Sequence, residues 1–313
     1  MKIFYGLNDF LKHSASSGRF AVTIGVFDGV HRAHREIVKA LVKKARKKKL
    51  STLLITFHPH PANVVNLSRK VPLLISLKHR LRLTEEMGLD YAVILRFDRR
   101  MSRMSAAGFI KKVLGKIPIS EIVVGSNFLF GRNREGSSEG LKRFSSSCGY
   151  NVTVIRVSRS AGKSISSTRI RKHVLKGELA KASRLLSRPV AVLGTVMKGH
   201  TRGRIIGYPT ANINPHHEAI PPFGVYAVKI RLAGKLHKGI LNIGLRPTFR
   251  DDFRPDAEST IEAHIFDFKR NIYGRDLEII FVKRIRKERK FKNISLLKEQ
   301  IKRDEKCARR ILR

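Results

Sequence analysis

The strongest constraint on the fold is a change in the pattern of apolar segments near residue 187. Before it, short apolar runs alternate with stretches of helical periodicity, and several of the runs are apolar on both faces. This alternation is typical of an α/β domain with helices on both faces of a parallel sheet. The predicted strands are 21–27, 52–57, 91–97, 121–125 and 151–157, and the predicted helices are 31–48, 76–87 and 105–114.

After residue 187 the segments become short strands separated by Gly and Pro. Their spacing favours a closed or nearly closed antiparallel barrel. The predicted strands are 190–197, 224–232, 237–243, 261–266 and 277–282, followed by a helix at 294–311. We therefore expect two domains, 1–185 and 186–313.

Composition narrows the class of protein further. A hydrophobic share of 42% is enough for buried cores. Cys148 and Cys307 are isolated, which favours neither a disulfide framework nor a zinc site and suits a reducing compartment. Neither a signal peptide pattern nor an apolar run of membrane-spanning length is present. We expect a cytoplasmic protein with no membrane partner.

The net charge of +41 is high, and both halves of the chain are basic. Such a field attracts polyanions, including nucleic acids, and phosphorylated small molecules. No basic stripe interleaved with aromatic residues and no recognised nucleic-acid module accompanies it. Solvated Lys and Arg faces are therefore the preferred interpretation, with non-specific attraction to nucleic acid left open. The oligomeric state is not predicted.

The segment GVFDGVHRAH lies at a predicted strand-to-helix turn and contains Gly25, Phe27 and Asp28. Free backbone N–H groups at a helix start favour phosphate binding. His31 and His34 are three residues apart, so they share a helix face and could stabilise charge on a triphosphate. Alone, this spacing is more typical of surface or capping histidines; the strand, turn and helix around it favour the ligand site.

Three further segments of the first half carry polar candidates. In SISSTRIR, Ser166, Thr168 and Arg171 could cradle phosphates, or the hydroxyls could be ordinary helix caps. In VVGSNFLFGR, a strand runs into a loop with a polar residue between aromatic ones, which is weak evidence alone. In FHPHP, His58 and His60 could bind a metal, but the prolines favour a rigid loop.

The second half contains a Gly-rich segment, GTVMKGHTRGRIIGYPTAN. Gly199 and Gly207 would let backbone amides approach phosphate oxygens, and Arg202 adds charge. Thr210 and Asn212 alternate on one strand face, where a hydroxyl and an amide oxygen suit Mg²⁺. Further along, Glu262 interrupts an apolar strand. It is either a surface residue of an alternating strand or a buried base, and the residues alone leave both open.

Taken together, these segments resemble the bacterial bifunctional riboflavin kinase/FAD synthetases. GVFDGVHRAH, FHPHP, VVGSNFLFG and ISSTRIR occur in the order found in that family, and so do GYPTAN, PFGVY, NIGLRPTF and IEAH. The resemblance extends from about residue 20 to the C-terminus. It implies a Rossmann-like nucleotidyltransferase domain that transfers AMP from ATP to FMN and releases pyrophosphate. It also implies a six-stranded barrel with a C-terminal helix that phosphorylates riboflavin with Mg·ATP.

The resemblance also implies roles for individual residues. In the front domain, His31 and His34 would stabilise the triphosphate and act as catalytic residues. In the barrel, Glu262 would be the general base, and Thr210 and Asn212 would bind Mg²⁺. The expected ATP and phosphate contacts are Gly25, Phe27, Asp28, Ser166, Thr168, Arg171, Gly199, Arg202 and Gly207; the expected flavin contacts are Asn127, Pro59 and Arg246.

Two positions depart from the family pattern. Ala33 stands between the histidines where the family usually has Gly, and its methyl group could crowd a nucleotide at the helix start. Asn127 occupies a place that is Asp in many relatives, which alters the local charge. A riboflavin kinase with an impaired front domain is therefore the alternative function, and a basic nucleic-acid-binding protein on the same scaffold is the second alternative.

Overall fold

The computed structural model describes residues 1–14, 18–66, 68, 70–198, 207–245 and 259–313. The chain divides into two compact units. The first comprises Met1–Leu73 and Leu77–Ser167, and the second comprises Leu74–Ser76 and Thr168–Arg313.

The front unit is built on a six-stranded parallel sheet with the order β1-β4-β3-β2-β5-β8. Its strands are β1 (Lys2–Phe4), β2 (Phe20–Ile24), β3 (Ser51–His58), β4 (Tyr91–Arg96), β5 (Ile119–Gly125) and β8 (Asn151–Ile155). Two small hairpins pair β6 (Leu129–Phe130) with β7 (Gly136–Ser137), and β9 (Arg159–Ser160) with β10 (Lys163–Ser164).

Helices cover both faces of this sheet. Val22 and Ile24 pack into one apolar cluster, whereas Ala21 packs into another that contains residues of α2. The front helices are α1 (Leu7–Ser14), α2 (Arg32–Lys47), α3 (Pro61–Val65), α4 (Leu77–Glu85), α5 (Arg99–Ser102), α6 (Ala106–Lys112) and α7 (Ser138–Cys148), with 3₁₀ turns at Leu114–Lys116 and Arg132–Arg134. The strands are apolar on both faces because both faces are covered.

The second unit contains two helices, α8 (Ser167–Leu175) and α9 (Leu179–Leu186), and a closed antiparallel barrel. The first residue of α8, Ser167, belongs to the front unit. The barrel strands are β11 (Ala191–Met197), β12 (Ala211–Asn214), β13 (Gly224–Leu232), β14 (Lys235–Leu245), β15 (Ser259–Ile265) and β16 (Asp276–Lys287), in the order β11-β12-β15-β14-β13-β16. Gly194 permits the close approach of β11 and β12, since a Cβ there would lie 2.4 Å from Ile213 Cγ2.

The C-terminal helix α10 (Ile294–Ile311) packs on the outer face of the barrel. Ala308 of the helix joins Val225 and Ala227 of β13 in one apolar cluster. Arg286 and the buried Asp304 add an ion pair at 2.8 Å. None of the described helices is both long and apolar enough to cross a membrane.

The predicted fold class is confirmed: a parallel α/β domain precedes a six-stranded antiparallel barrel with a C-terminal helix. The sequence pattern did not predict the four strands of the two small hairpins, nor one strand of the parallel sheet and one of the barrel. β1 is a three-residue edge strand, and β12 reads ANIN, which has little apolar character.

Candidate active sites

The first candidate site is the turn between β2 and α2. Phe27 (φ 52°) and Val30 (φ 38°) both adopt left-handed backbone conformations, which are costly for residues with bulky side chains. Phe27 and Asp28 are buried in the turn. The backbone N–H of Gly25 donates to Ile55 O of the neighbouring strand at 3.0 Å. Surrounding contacts therefore hold a strained loop against the start of a helix.

The two histidines of this turn lie face to face. Their ring centroids are 3.6 Å apart with an interplanar angle of 13°. His31 precedes α2 as its N-cap, and its Nδ1 accepts a hydrogen bond from the backbone N–H of His34 at 3.4 Å. A neutral imidazole that accepts at Nδ1 carries its proton on Nε2 and can donate from there to an anion. Phe27 packs on the other side of the His34 ring, at 4.8 Å between centroids.

Both histidines are held neutral. Burial lowers the pKa of His31 to about 4, against a raising effect of its backbone hydrogen bond. Burial, followed by the charges of His31 and Arg80, lowers the pKa of His34 well below its usual value. Among the described residues, Nδ1 of His34 is buried without a hydrogen-bond partner. Near neutral pH the pair can therefore act as polar donors to phosphate without carrying a charge.

The late polar segment reaches this turn at the start of α8. The Ser167 hydroxyl donates to the backbone carbonyl of Asp28 at 2.8 Å. Of the three predicted phosphate ligands, Ser166 is half-buried, Thr168 is exposed and Arg171 is buried. Ser167, which the sequence did not single out, joins the two segments through this hydrogen bond.

The predicted flavin contact Asn127 is exposed in the loop after β5. Gly125 gives it room, because a Cβ at that position would lie 3.0 Å from Asn127 Oδ1. Behind the loop, Phe128 and Phe130 stack at 5.3 Å between ring centroids, and Phe109 packs on Phe130 at 5.8 Å. The loop thus places an amide beside an aromatic cluster.

The FHPHP segment spans the end of β3 and the start of α3. His60 caps α3 by accepting from the backbone N–H of Ala62 at 3.1 Å, so its ring serves the local fold. Pro59 is exposed at the carboxyl edge of the sheet. Over the described ranges, no group of three or more His, Cys, Asp or Glu side chains is arranged to hold a metal ion.

The second candidate site is a row of polar side chains across the barrel. Asn212 of β12 is the register partner of Glu262 of β15, and Glu262 is also the register partner of Asn242 of β14. Register partners on antiparallel strands share a face, with Cβ atoms about 4.5–5.5 Å apart. All three residues are half-buried, whereas the alternate residues Ile261 and Ala263 are buried inside the barrel. Glu262 therefore belongs to the outer face, between two amides.

Thr210 lies just before β12, where the chain is fixed to the same outer face. The Nδ1 atom of His264 lies 2.8 Å from the carbonyl oxygen of Pro209. The ring centroids of Tyr208 and His264 are 5.4 Å apart, with an interplanar angle of 71°. These contacts bring the half-buried Thr210 beside the strand that carries Glu262.

A cleft of about 470 Å³ opens between residues 207–208 and α10. Arg309 of α10 donates to Glu305 at 2.8 Å and binds both oxygens of Asp267 at 2.9 Å. Burial raises the pKa of Tyr208, and Glu305 raises it further through its charge and a hydrogen bond. The lining consists of Gly207, Tyr208, His264, Asp267, Lys298, Lys302, Glu305 and Arg309. The cleft is polar, and its lining residue His264 lies on the same strand as Glu262, two positions further on.

Three predicted ligands, Gly199, Arg202 and Arg246, lie outside the described residues. Gly207 is described; it is exposed, with a left-handed φ of 83°. The sequence reasoning overlooked Asn242 and Arg80, which the structure brings to the two sites. Arg80 sits in the basic string KHRLR, whose charge is typical of a solvated face, so local sequence gave no signal of its burial.

The fold and the two sites define a class of protein: a nucleotidyltransferase-type α/β domain followed by a barrel with a carboxylate and amide centre. Each half of the chain matches the model of a known protein family. The family model for FAD synthetase matches residues 13–169, and that for riboflavin kinase matches residues 186–312. The chain belongs to the family of bifunctional riboflavin kinase/FMN adenylyltransferases.

Individual relatives match over nearly the whole chain. The enzyme of that description from Escherichia coli strain K12 is 36% identical over 311 residues, which cover 99% of this chain and 97% of the relative. The one from Listeria monocytogenes is 36% identical over 290 residues, or 92% and 91% of the two chains. A solved structure described as a macrolide-efflux protein from Streptococcus pneumoniae has a TM-score of 0.82 and 28% identity, with 99% of each chain covered.

Proposed function

We propose that the chain catalyses two successive ATP-dependent reactions: riboflavin to FMN in the barrel, and FMN to FAD in the front domain. The observation that carries the proposal is the Asn212–Glu262–Asn242 row, because it sets a carboxylate between two amide side chains, on the strand whose His264 lines a polar cleft. We assign the reactions to residues 186–313 and 1–185, respectively. Both reactions consume ATP, which favours the cytoplasm as their location.

In the barrel, Glu262 accepts the proton of the riboflavin 5′-hydroxyl as its oxygen attacks the γ-phosphorus of ATP. The bond from that phosphorus to the β,γ-bridging oxygen breaks, and ADP leaves. An alcohol is a poor nucleophile until a base accepts its proton, so a carboxylate at this position can act as the general base. Thr210 and Asn212 offer the hard oxygen donors that Mg²⁺ prefers, and the metal would neutralise phosphate charge. Gly199, Arg202 and Gly207 complete the proposed phosphate contacts, and Arg246 contacts the flavin.

In the front domain, a phosphate oxygen of FMN attacks the α-phosphorus of ATP and pyrophosphate leaves. His31 and His34 donate hydrogen bonds to the triphosphate, and their neutral state supports this role. Gly25, Phe27 and Asp28 form the turn on which the nucleotide rests. Ser166, Thr168 and Arg171 hold the leaving phosphates, while Asn127 and Pro59 contact the flavin.

The alternative of a kinase with an impaired front domain depends on Ala33. In the structure Ala33 is 3% exposed and is buried at the start of α2. It therefore fills protein interior, which supports a working adenylyl-transfer site.

The nucleic-acid alternative depends on the charge. The basic run KKARKKK at 43–49 is partly paired within the protein, because Lys44 and Lys48 form ion pairs with Glu121, a carboxylate buried in β5. Non-specific polyanion attraction stays a prediction, and the enzymatic function is the better supported one.

The test is a time course with purified protein, riboflavin and Mg·ATP, in which FMN and FAD are separated chromatographically. FMN should appear first and FAD after it, with omission of Mg²⁺ abolishing both. Accumulation of FMN without FAD, even when FMN is supplied directly, would reduce the function to a riboflavin kinase. Formation of neither product, from oxidised or reduced flavin, would overturn the proposal.

A further inference from the structure

A buried cation lies under the front site. Arg80 of α4 is 1% exposed and is among the largest fully buried side chains of the described chain. Burial lowers the pKa of its guanidinium to about 10, and the nearby carboxylate of Asp28 opposes the shift. The group therefore stays charged near neutral pH. A buried charge is costly unless it is paired and hydrogen-bonded, so its position requires a reason.

The contacts of Arg80 lead to the turn between β2 and α2. Its Nη1 donates to Thr56 Oγ1 at 2.9 Å and to Phe57 O at 3.3 Å, both near the end of β3. Thr56 Oγ1 in turn donates to the backbone carbonyl of Val26 at 3.3 Å. A continuous chain of hydrogen bonds thus runs from the guanidinium, through a strand, to the backbone of the turn.

This turn needs external support. Phe27 and Val30 hold left-handed conformations, which persist only where surrounding contacts determine them. Val26, next to Phe27, is held by Thr56, and Asp28 is held by the Ser167 hydroxyl at 2.8 Å. Hydrogen bonds from Thr56 and from Ser167 therefore hold the turn at two points. Arg80 supports the first of these through its hydrogen bond to Thr56 Oγ1.

Arg80 also faces the histidines electrostatically. Its charge contributes to the lowered pKa of His34 and of His58, after the effect of burial in each case. Among the described residues, the Nε atom of Arg80 is buried without a hydrogen-bond partner, so contacts within the fold do not satisfy every donor of the guanidinium. A cation here makes the floor of the site attractive to a triphosphate while the histidines stay neutral.

We infer that Arg80 is a positioning residue for adenylyl transfer, acting through Thr56 on the turn that carries Phe27 and Asp28. The inference rests on the proposed function of the front domain. A purely structural buried arginine would affect folding alone. A positioning residue affects the turnover of this one reaction, because small displacements of catalytic groups are costly in rate.

The central variant is Thr56→Val, which removes the relay hydroxyl and keeps the side-chain shape. Arg80→Lys keeps the positive charge but loses the planar guanidinium with its several N–H donors, and Arg80→Met loses both the charge and the donors. Thr52→Val is the matched control: it removes another buried hydroxyl of β3, one bonded to Asp90 at 2.7 Å at the far end of the strand. For each variant, kcat and KM are measured for FMN adenylylation, together with riboflavin phosphorylation by the same chain and the thermal midpoint.

Thr56→Val should lower kcat for FAD formation about tenfold or more, with the kinase rate unchanged. Arg80→Lys should keep more activity than Arg80→Met, and Thr52→Val should lose only stability. The inference is overturned if Thr56→Val and Arg80→Lys keep wild-type kcat and KM while their midpoints fall. It is also overturned if Thr52→Val matches Thr56→Val in kcat. A wild-type chain that makes no FAD would instead defeat the proposed function, and this inference with it.

Discussion

Asn212 and Glu262 occupy directly opposite positions on the neighbouring antiparallel strands β12 and β15. They are fifty positions apart in the sequence, with β13 and β14 between them, yet the barrel register brings them onto one face. The strand register therefore places an amide side chain beside a carboxylate, the pair to which we assign Mg²⁺ binding and proton acceptance in the proposed kinase reaction.

The first prediction concerns Asn212 as a metal ligand. Asn212→Ala should raise the Mg²⁺ concentration needed for half-maximal riboflavin phosphorylation by about tenfold or more, because an oxygen donor is lost. The measurement is an Mg²⁺ titration of the kinase rate at fixed ATP. Asn214→Ala, on the same face of the same strand, is the matched control and should leave the titration unchanged. Coincident titration curves for wild type and Asn212→Ala would exclude the ligand role.

The second prediction concerns the stability of the fold below neutral pH. The pKa of His31 is about 4 in the folded chain, below the value of 6.5 for the free side chain. Above pH 6.5 neither state binds the proton. Between the two values the unfolded chain binds it and the folded chain does not, so the free energy of unfolding falls as the pH falls. The loss through His31 should be on the order of 3 kcal/mol by pH 4.

Chemical denaturation at pH 7 and at pH 4.5 tests this. His31→Asn keeps a side chain that can cap α2 but cannot titrate, so its stability should fall less between the two pH values. His34 contributes in the same direction in both chains. Equal losses of stability for wild type and His31→Asn would contradict the assigned burial of a neutral His31.

The third prediction concerns Ala33. Ala33→Gly restores the residue that the family usually has, but it also removes a buried methyl group from a helix. The variant should lose about 1 kcal/mol of stability and keep its KM for ATP in FAD formation. Steady-state kinetics with varied ATP and a thermal melt measure both. A several-fold drop in KM would show that the methyl group crowds the nucleotide.

Much of the fold was predictable because local pattern and tertiary environment agree. The front strands are apolar on both faces since both are covered, and the alternation with helices is explicit. β12 was not predicted because its sequence, ANIN, is largely polar. It forms a strand by pairing with β11 and β15. Short strands of this kind depend on partners that are distant in sequence.

For the candidate sites, the sequence predicted which side chains lie together only where they are close along the chain. The spacing of His31 and His34 anticipated their juxtaposition, although His31 proved to be the cap and not a member of the helix. Arg80 and Asn242 could not be found locally. Arg80 is functional in the proposal because Thr56 and Asp28 meet it in space, and Asn242 because the barrel register sets it opposite Glu262.

The central claim is that two separate sites in one chain carry two reactions, and a pair of substitutions tests it most directly. Glu262→Gln should lower riboflavin phosphorylation about 10²–10⁴-fold and leave adenylylation of supplied FMN intact. His34→Gln should do the reverse, with a loss of about 10²-fold in FAD formation. Glu299→Gln, at an exposed glutamate of α10, is the control for the first and should change neither rate. If either folded variant loses both reactions, or if Glu262→Gln retains full kinase activity, the assignment of the two sites is wrong.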